Sequence, residues 1–214
     1  MCVITIELKG VGKKFNRNWL FKDVNLLFVP NKTYALTGFN GSGKSTLLQV
    51  IYGYQVVSSG AVLLSKPSET ISPELAYKHI MFVAPYLDFP EELSLLELLH
   101  FHFSFKGKAI QISNDAMIAA AGLKGSENKH IKYFSSGMKQ RLKLMLAFYT
   151  ECELLLLDEP CSNLDESGIE WYRNMMMQQK NTRTIIIASN QKAEYDFCDQ
   201  VYAVTDFKPV VPIL

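Results

Sequence analysis

The chain has 214 residues, 48% of them hydrophobic and 20% charged, with 22 Lys plus Arg against 21 Asp plus Glu for a formal charge of +1. That length suits one domain with a full core and room for one inserted lobe, and the composition is that of a globular protein. The near-neutral charge argues against a basic nucleic-acid or anionic-membrane face, and no apolar run approaches the ~18 residues that span a bilayer. The first residues, Met1 to Glu7, lack a basic leader region and read as an edge strand rather than a signal peptide. Cys2, Cys152, Cys161 and Cys198 show no paired metal-ligand spacing, so they read as reduced thiols of a cytoplasmic protein. There is no internal repeat and no low-complexity segment.

Along the chain, residues 3–8 and 24–29 alternate or run apolar as strands do, and the second stops at Pro30-Asn31-Lys32. Thr33 to Thr37 is a short apolar strand. It leads into Gly38-Phe39-Asn40-Gly41-Ser42-Gly43-Lys44-Ser45-Thr46, and a helical pattern of Leu47, Leu48 and Ile51 follows. Strands are expected at Ala61 to Leu64, entered through Ser58-Ser59-Gly60, and at Ile80 to Ala84, stopped by Pro85. From Ser94 the pattern turns helical, with Leu95, Leu98, Leu99, His102 and Phe103 on one face. This stripe reads as core, with a docking surface as the alternative. A second helix is expected over Asp115 to Ala121, ending at Gly122, and a long one opens at Ser135 with Met138, Leu142, Met145, Leu146 and Tyr149. Strands return at Leu154 to Leu157 and Thr184 to Ala188. Short apolar runs between helices predict an α/β fold with a mostly parallel, covered sheet. The helical middle, residues 86–150, reads as a lobe inserted between core segments 1–85 and 151–214.

The segment from Gly38 to Thr46 fits the phosphate-loop pattern and has the strand before it and helix after it that the pattern requires. Gly38, Gly41 and Gly43 reach positive φ cheaply, so successive N–H groups, with those of Asn40, Ser42 and Thr46 among them, can form an anion nest. The following helix adds its positive end. Lys44 supplies a full charge for the β- and γ-phosphates, and Ser45 a hydroxyl for Mg²⁺. The plainer alternative is a glycine-rich turn with a surface lysine.

Leu154-Leu155-Leu156-Leu157-Asp158-Glu159 would deliver two carboxylates at the carboxyl end of a buried strand, where α/β ligand sites lie. Beside a phosphate loop, Asp158 reads as the ligand of the metal ion and Glu159 as the general base that polarises an attacking water. A strand ending in a solvated acidic turn is the alternative.

Taken together, these motifs resemble the ATP-binding subunit of an ABC transporter. Phe134-Ser135-Ser136-Gly137-Met138-Lys139-Gln140-Arg141 is similar to that family's signature segment, and Ser162-Asn163-Leu164-Asp165 to its D-loop. The resemblance implies a phosphate-loop NTPase of ABC type: a RecA-like core, an antiparallel β subdomain at the N-terminus and the helical lobe that carries the signature. It implies ATP and Mg²⁺ as cofactors, Phe15 as the aromatic that stacks on adenine, and a head-to-tail homodimer or heterodimer. In that dimer Ser135, Ser136 and Gly137 close over the ATP of the facing subunit. Ser135 is a natural N-cap, which leaves the Ser136 and Gly137 N–H groups open to a γ-phosphate. A separate membrane permease is the implied partner, with the chain peripheral at the cytoplasmic face of the membrane and no nucleic acid involved.

Three departures from the family pattern stand out. Ser136 and Met138 flank Gly137 where the family has glycine and glutamine. Tyr86 stands where the family has a glutamine. Asn190 replaces the switch histidine after the strand Thr184 to Ala188. Asn190 can still donate a hydrogen bond to a phosphate oxygen but carries no charge, so hydrolysis is expected to be slow rather than lost. The other readings are a soluble ABC-type switch or clamp without a permease, and a GTPase or phosphoryl-transfer enzyme. The last lacks its D-x-x-G and N-K-x-D elements here.

Overall fold

Side-chain alternation along one strand shows how the molecule is layered. In the computed structural model, which describes residues 4–67 and 69–209, strand β7 (Leu154–Asp158) is buried at every position. Leu154 and Leu156 join one hydrophobic cluster while Leu155 and Leu157 join another, because successive residues of a strand face opposite ways. β7 lies in a five-stranded sheet with β3 (Thr33–Thr37), β6 (Ile80–Val83), β8 (Thr184–Ala188) and β9 (Gln200–Ala203), in the order β6-β7-β8-β3-β9. Each pairing in it is parallel. A sheet covered on both faces needs no polar face, which is why β7 and β8 read as unbroken Leu and Ile runs.

A second, antiparallel sheet has the order β2-β1-β4-β5, built from β1 (Thr5–Phe15), β2 (Asn18–Phe28), β4 (Ser59–Lys66) and β5 (Glu69–Ile71). Its Ile6, Leu8, Phe21 and Phe28 pack with Leu47, Leu48 and Ile51 of α1 (Lys44–Tyr52). The first strand is therefore not the edge strand that the sequence suggests. Ile6 pairs with Phe28 on one side and Leu64 on the other, and its side chain is fully buried; residues 1–3 lie outside the described residues. β1 also runs well past the expected residue 8, because register shifts after Leu8 and Val11 reset the alternation that a sequence scan follows.

The other cluster gathers α2 (Leu95–Phe105), α3 (Asn114–Ala120), α4 (Ser136–Tyr149) and α5 (Glu166–Gln179) against the opposite face of the parallel sheet. Leu95, Leu98 and Leu99 are buried in it, so that stripe is core. Ser94 and Glu97 close a capping box at the start of α2, Ser135 accepts from the Met138 N–H at 3.2 Å to start α4, and Asp165 accepts from the Gly168 N–H at 2.9 Å to start α5. α5 and β9 have no counterpart in the sequence reading: α5 presents a mostly polar face, and β9 is four residues long.

Register brings the chemistry to one edge. Leu36 is level with Ala188, Ala188 with Asp158, and Leu157 with Val83. The carboxyl ends of four strands thus deliver the phosphate loop, the two carboxylates, the Ser189–Asn190 turn and the turn from Ala84 to Tyr86 to the same place.

Candidate nucleotide site

At two positions of the phosphate loop a side chain would be both crowded and strained. Gly43 caps α1 at φ 107°, and a Cβ there would lie 3.0 Å from Leu20 Cγ and 3.1 Å from Phe21 Cδ1. Gly38, at φ 143°, would place a Cβ 2.6 Å from Ser42 Oγ. Asn40, Gly41, Gly43, Lys44, Ser45 and Thr46, with Leu20 and Glu159, line a cavity of about 240 Å³. Lys44 is buried, its Nζ donating to the Gly38 carbonyl at 2.9 Å and the Phe39 carbonyl at 3.3 Å. The ammonium is thus folded over the loop with a third N–H to spare. Ser42 is fully buried, and its hydroxyl has no hydrogen-bond partner among the described residues. The open N-terminus of α1 and the Lys44 ammonium are donors that a polyanion satisfies.

Ser45, which lines the cavity, donates from Oγ to Asp158 Oδ1 at 2.9 Å. A hydroxyl beside a carboxylate suits Mg²⁺, which takes few protein ligands and completes its shell from phosphate and water. Burial pushes the Asp158 carboxyl up to about 6; the Ser45 hydrogen bond opposes that, the Glu159 charge adds to it, and Lys44 opposes it. Since this lies above the ordinary 3.8, the stability that Asp158 supplies is complete below that value and is lost as pH rises through about 6. We therefore expect Asp158→Asn, free of that titration, to gain on wild type by about 2 kcal/mol between pH 4 and 7 in nucleotide-free denaturant melts. A constant difference across that range would contradict it.

Glu159 follows at φ 44°, a left-handed conformation that a non-glycine residue adopts at a cost. Its N–H donates to the Ala188 carbonyl at 2.9 Å, while Ser162 Oγ stands 3.5 Å from its Oε2. Asn190 reaches across from the end of β8, its Nδ2 donating to Asn40 Oδ1 at 3.0 Å. Tyr86 hangs below α1, its hydroxyl accepting from Gln49 Nε2 at 2.7 Å.

Not every expected residue reaches this cavity. Phe15 is half exposed, with the Lys13 ammonium 5.1 Å from its ring centre, and Leu20 rather than Phe15 forms part of the wall. Ser135 and Gly137 line a separate hollow of about 320 Å³ with Arg141, Asn163 and Asp165, and Ser136 sits beside them in the first turn of α4. Two residues escaped the sequence reading. Leu20 sits in β2, where alternation gives no hint of a ligand wall. Glu194 is buried and accepts from the Cys161 N–H at 2.9 Å, tying the turn after β7 to the turn after β8. Its only sequence signal is an isolated carboxylate.

Comparison with known proteins gives a consistent result. A sequence model of the ABC transporter family matches residues 21–162. The chain is 31% identical over 202 residues to the ABC transporter ATP-binding protein YybJ of Bacillus subtilis, covering 91% of this chain and 89% of that one. It is 27% identical over 201 residues to the bacitracin transport ATP-binding protein BcrA of Enterococcus faecalis, covering 93% of this chain and 65% of that one. A solved structure of an ATP-binding subunit of an ABC transporter superimposes with a TM-score of 0.80 at 25% identity, over 92% of this chain and 85% of that one.

Proposed function

Because the chain belongs to the ABC transporter family, as one of its ATP-binding proteins, we propose that it binds magnesium ATP on the phosphate loop, closes head to tail on a second such chain and powers a separate membrane permease. The observation that carries this reading is the split of the site. The phosphate loop, Ser45 and Glu159 line one cavity, with Asp158 held by the Ser45 hydroxyl, while Ser135 and Gly137 open into another. A second subunit, identical or different, is what would bring the two halves onto one nucleotide.

In this reading Lys44 and the loop amides hold the phosphates, Ser45 and Asp158 hold the ion, and Phe15 packs on the base. Held by Ser45 and Asp158, Mg²⁺ would supply the positive charge that offsets the charge developing on the phosphate oxygens. Glu159 takes the proton of the attacking water. Asn190, fixed by Asn40, offers an uncharged N–H to the γ-phosphate. Residues 86–150 act as the lobe that presents the signature turn, and 1–85 with 151–214 as the ATP-binding core. No helix among the described residues is long and apolar enough to cross a membrane; in this reading the permease is a separate chain and this one docks at its cytoplasmic side.

Loss of the single Asn190 contact should slow phosphate release by about tenfold in Asn190→Ala, and Asn190→His, which restores a charge-assisted donor, should exceed wild type. Unchanged turnover in Asn190→Ala would remove that residue from the mechanism. The permease itself is tested by purifying the tagged chain from detergent-solubilised membranes of its own cells. Recovery of a multi-span protein in stoichiometric amount is expected. A chain that leaves the membranes alone would favour a soluble clamp.

A further inference from the structure

The turn that follows β6 is bound from both sides by side chains that the nucleotide reading does not use. On one side is Gln49, a single helical turn beyond Ser45 on α1 and so on the same face as the hydroxyl that meets Asp158. Its amide holds the Tyr86 hydroxyl at 2.7 Å. On the other side is Lys143, in the middle of α4 and buried, whose Nζ donates to the Ala84 carbonyl at 3.3 Å and the Pro85 carbonyl at 2.8 Å. The turn is also level with the ion side of the site, since Val83 pairs with Leu157, one residue before Asp158. The Tyr86 ring packs edge-on at 6.4 Å to Phe82, which lies 5.2 Å from Tyr52 at the end of α1.

We propose that Gln49 and Tyr86 are positioning residues for the metal-bound nucleotide. Their hydrogen bond ties the turn from Ala84 to Tyr86 to the Ser45 face of α1, and Lys143 ties the same turn to the helix that starts at Ser135. The Ser45–Asp158 pair is linked to this tie by one helical turn on the α1 side and by the Val83–Leu157 pairing on the sheet side. Its geometry is held because α1 cannot slide against the end of β7 while Tyr86 is anchored. The phosphate cradle, formed by backbone N–H groups one turn earlier, does not depend on it. Burial, and beyond it the Asp158 charge, raise the phenol above its ordinary pKa, the Gln49 bond opposing, so the hydroxyl stays protonated and uncharged beside the carboxylate. A tyrosine here therefore does locally what a carboxylate or free lysine would not: it adds a fixed polar contact without adding charge to the ion site.

The proposal rests on the magnesium-nucleotide reading, and its test separates the two. The full chain is titrated with ATP plus Mn²⁺, followed by the spin resonance of the bound ion, and again with ATP in chelator, followed by calorimetry. Tyr86→Phe removes only the hydroxyl of a half-exposed side chain and is expected to weaken the Mn²⁺-dependent affinity by about fivefold while leaving the chelator value unchanged. Gln49→Leu should give the same loss, and the double variant no further loss, because both break one bond. A wild-type chain that binds no nucleotide in either medium overturns the functional reading and this proposal together. Wild-type binding with unaltered Mn²⁺ affinity in Tyr86→Phe overturns the proposal alone. So does an equal loss with and without metal, which marks a structural role only, or losses that add in the double variant.

Discussion

Glu159→Gln is expected to cut steady-state ATP turnover by about 100-fold or more while nucleotide affinity stays near wild type. Glutamine has the same shape, so it keeps the place of Glu159 in the cavity wall and the left-handed turn that aims it there. The main-chain bond that fixes this turn, from the residue's N–H to the Ala188 carbonyl at 2.9 Å, does not involve the side chain. What changes is chemistry alone: an amide cannot accept the proton of a water molecule as it attacks. With hydrolysis blocked, the ATP-bound pair of chains should persist, read as a doubled mass by light scattering after size-exclusion chromatography in ATP. Wild-type turnover in this variant would mean that another group serves as the base.

Lys44→Ala carries the second large effect. The Lys44 ammonium is, among the described residues, the one full positive charge in the cavity wall, folded onto the Gly38 and Phe39 carbonyls at 2.9 and 3.3 Å. A charged donor to phosphate contributes about 1.5–3 kcal/mol, so affinity for ATP should fall roughly 10- to 150-fold. The two carbonyls released belong to the partly exposed Gly38 and the exposed Phe39, where water can replace the ammonium, so the melting temperature should move little. A fluorescent-nucleotide titration beside a thermal melt checks both halves. Retained affinity would place the phosphates elsewhere, and a collapsed melt would mean that Lys44 mainly supports the fold.

Much of this was legible because the physics is local. Glycines at forced positive φ, a lysine and a hydroxyl in fixed spacing, and four leucines running into Asp158 and Glu159 each announce their role within a few residues. So does Ser135 as an N-cap, because one side-chain oxygen meets an N–H three residues on. What the sequence hid depends on register and distance. The bulges in β1 disguised a long interior strand as a short edge one. The polar surface of α5 masked a helix whose Tyr172 and Met176 are wholly buried. The Gln49–Tyr86 and Asn190–Asn40 bonds join residues far apart in the chain, and only the parallel register brings them within reach. Tyr86 read from sequence alone is a missing glutamine; in the folded chain it meets the amide of a glutamine on α1.

The claim on which the rest depends is that the glycine-rich turn before α1 holds a magnesium nucleotide. Isothermal titration of the full chain with ATP and Mg²⁺ measures this directly. The account predicts saturable heat at one nucleotide per chain, weakened when pH falls below about 6 and Asp158 takes up its proton. Absence of heat at any pH between 6 and 8 would contradict it.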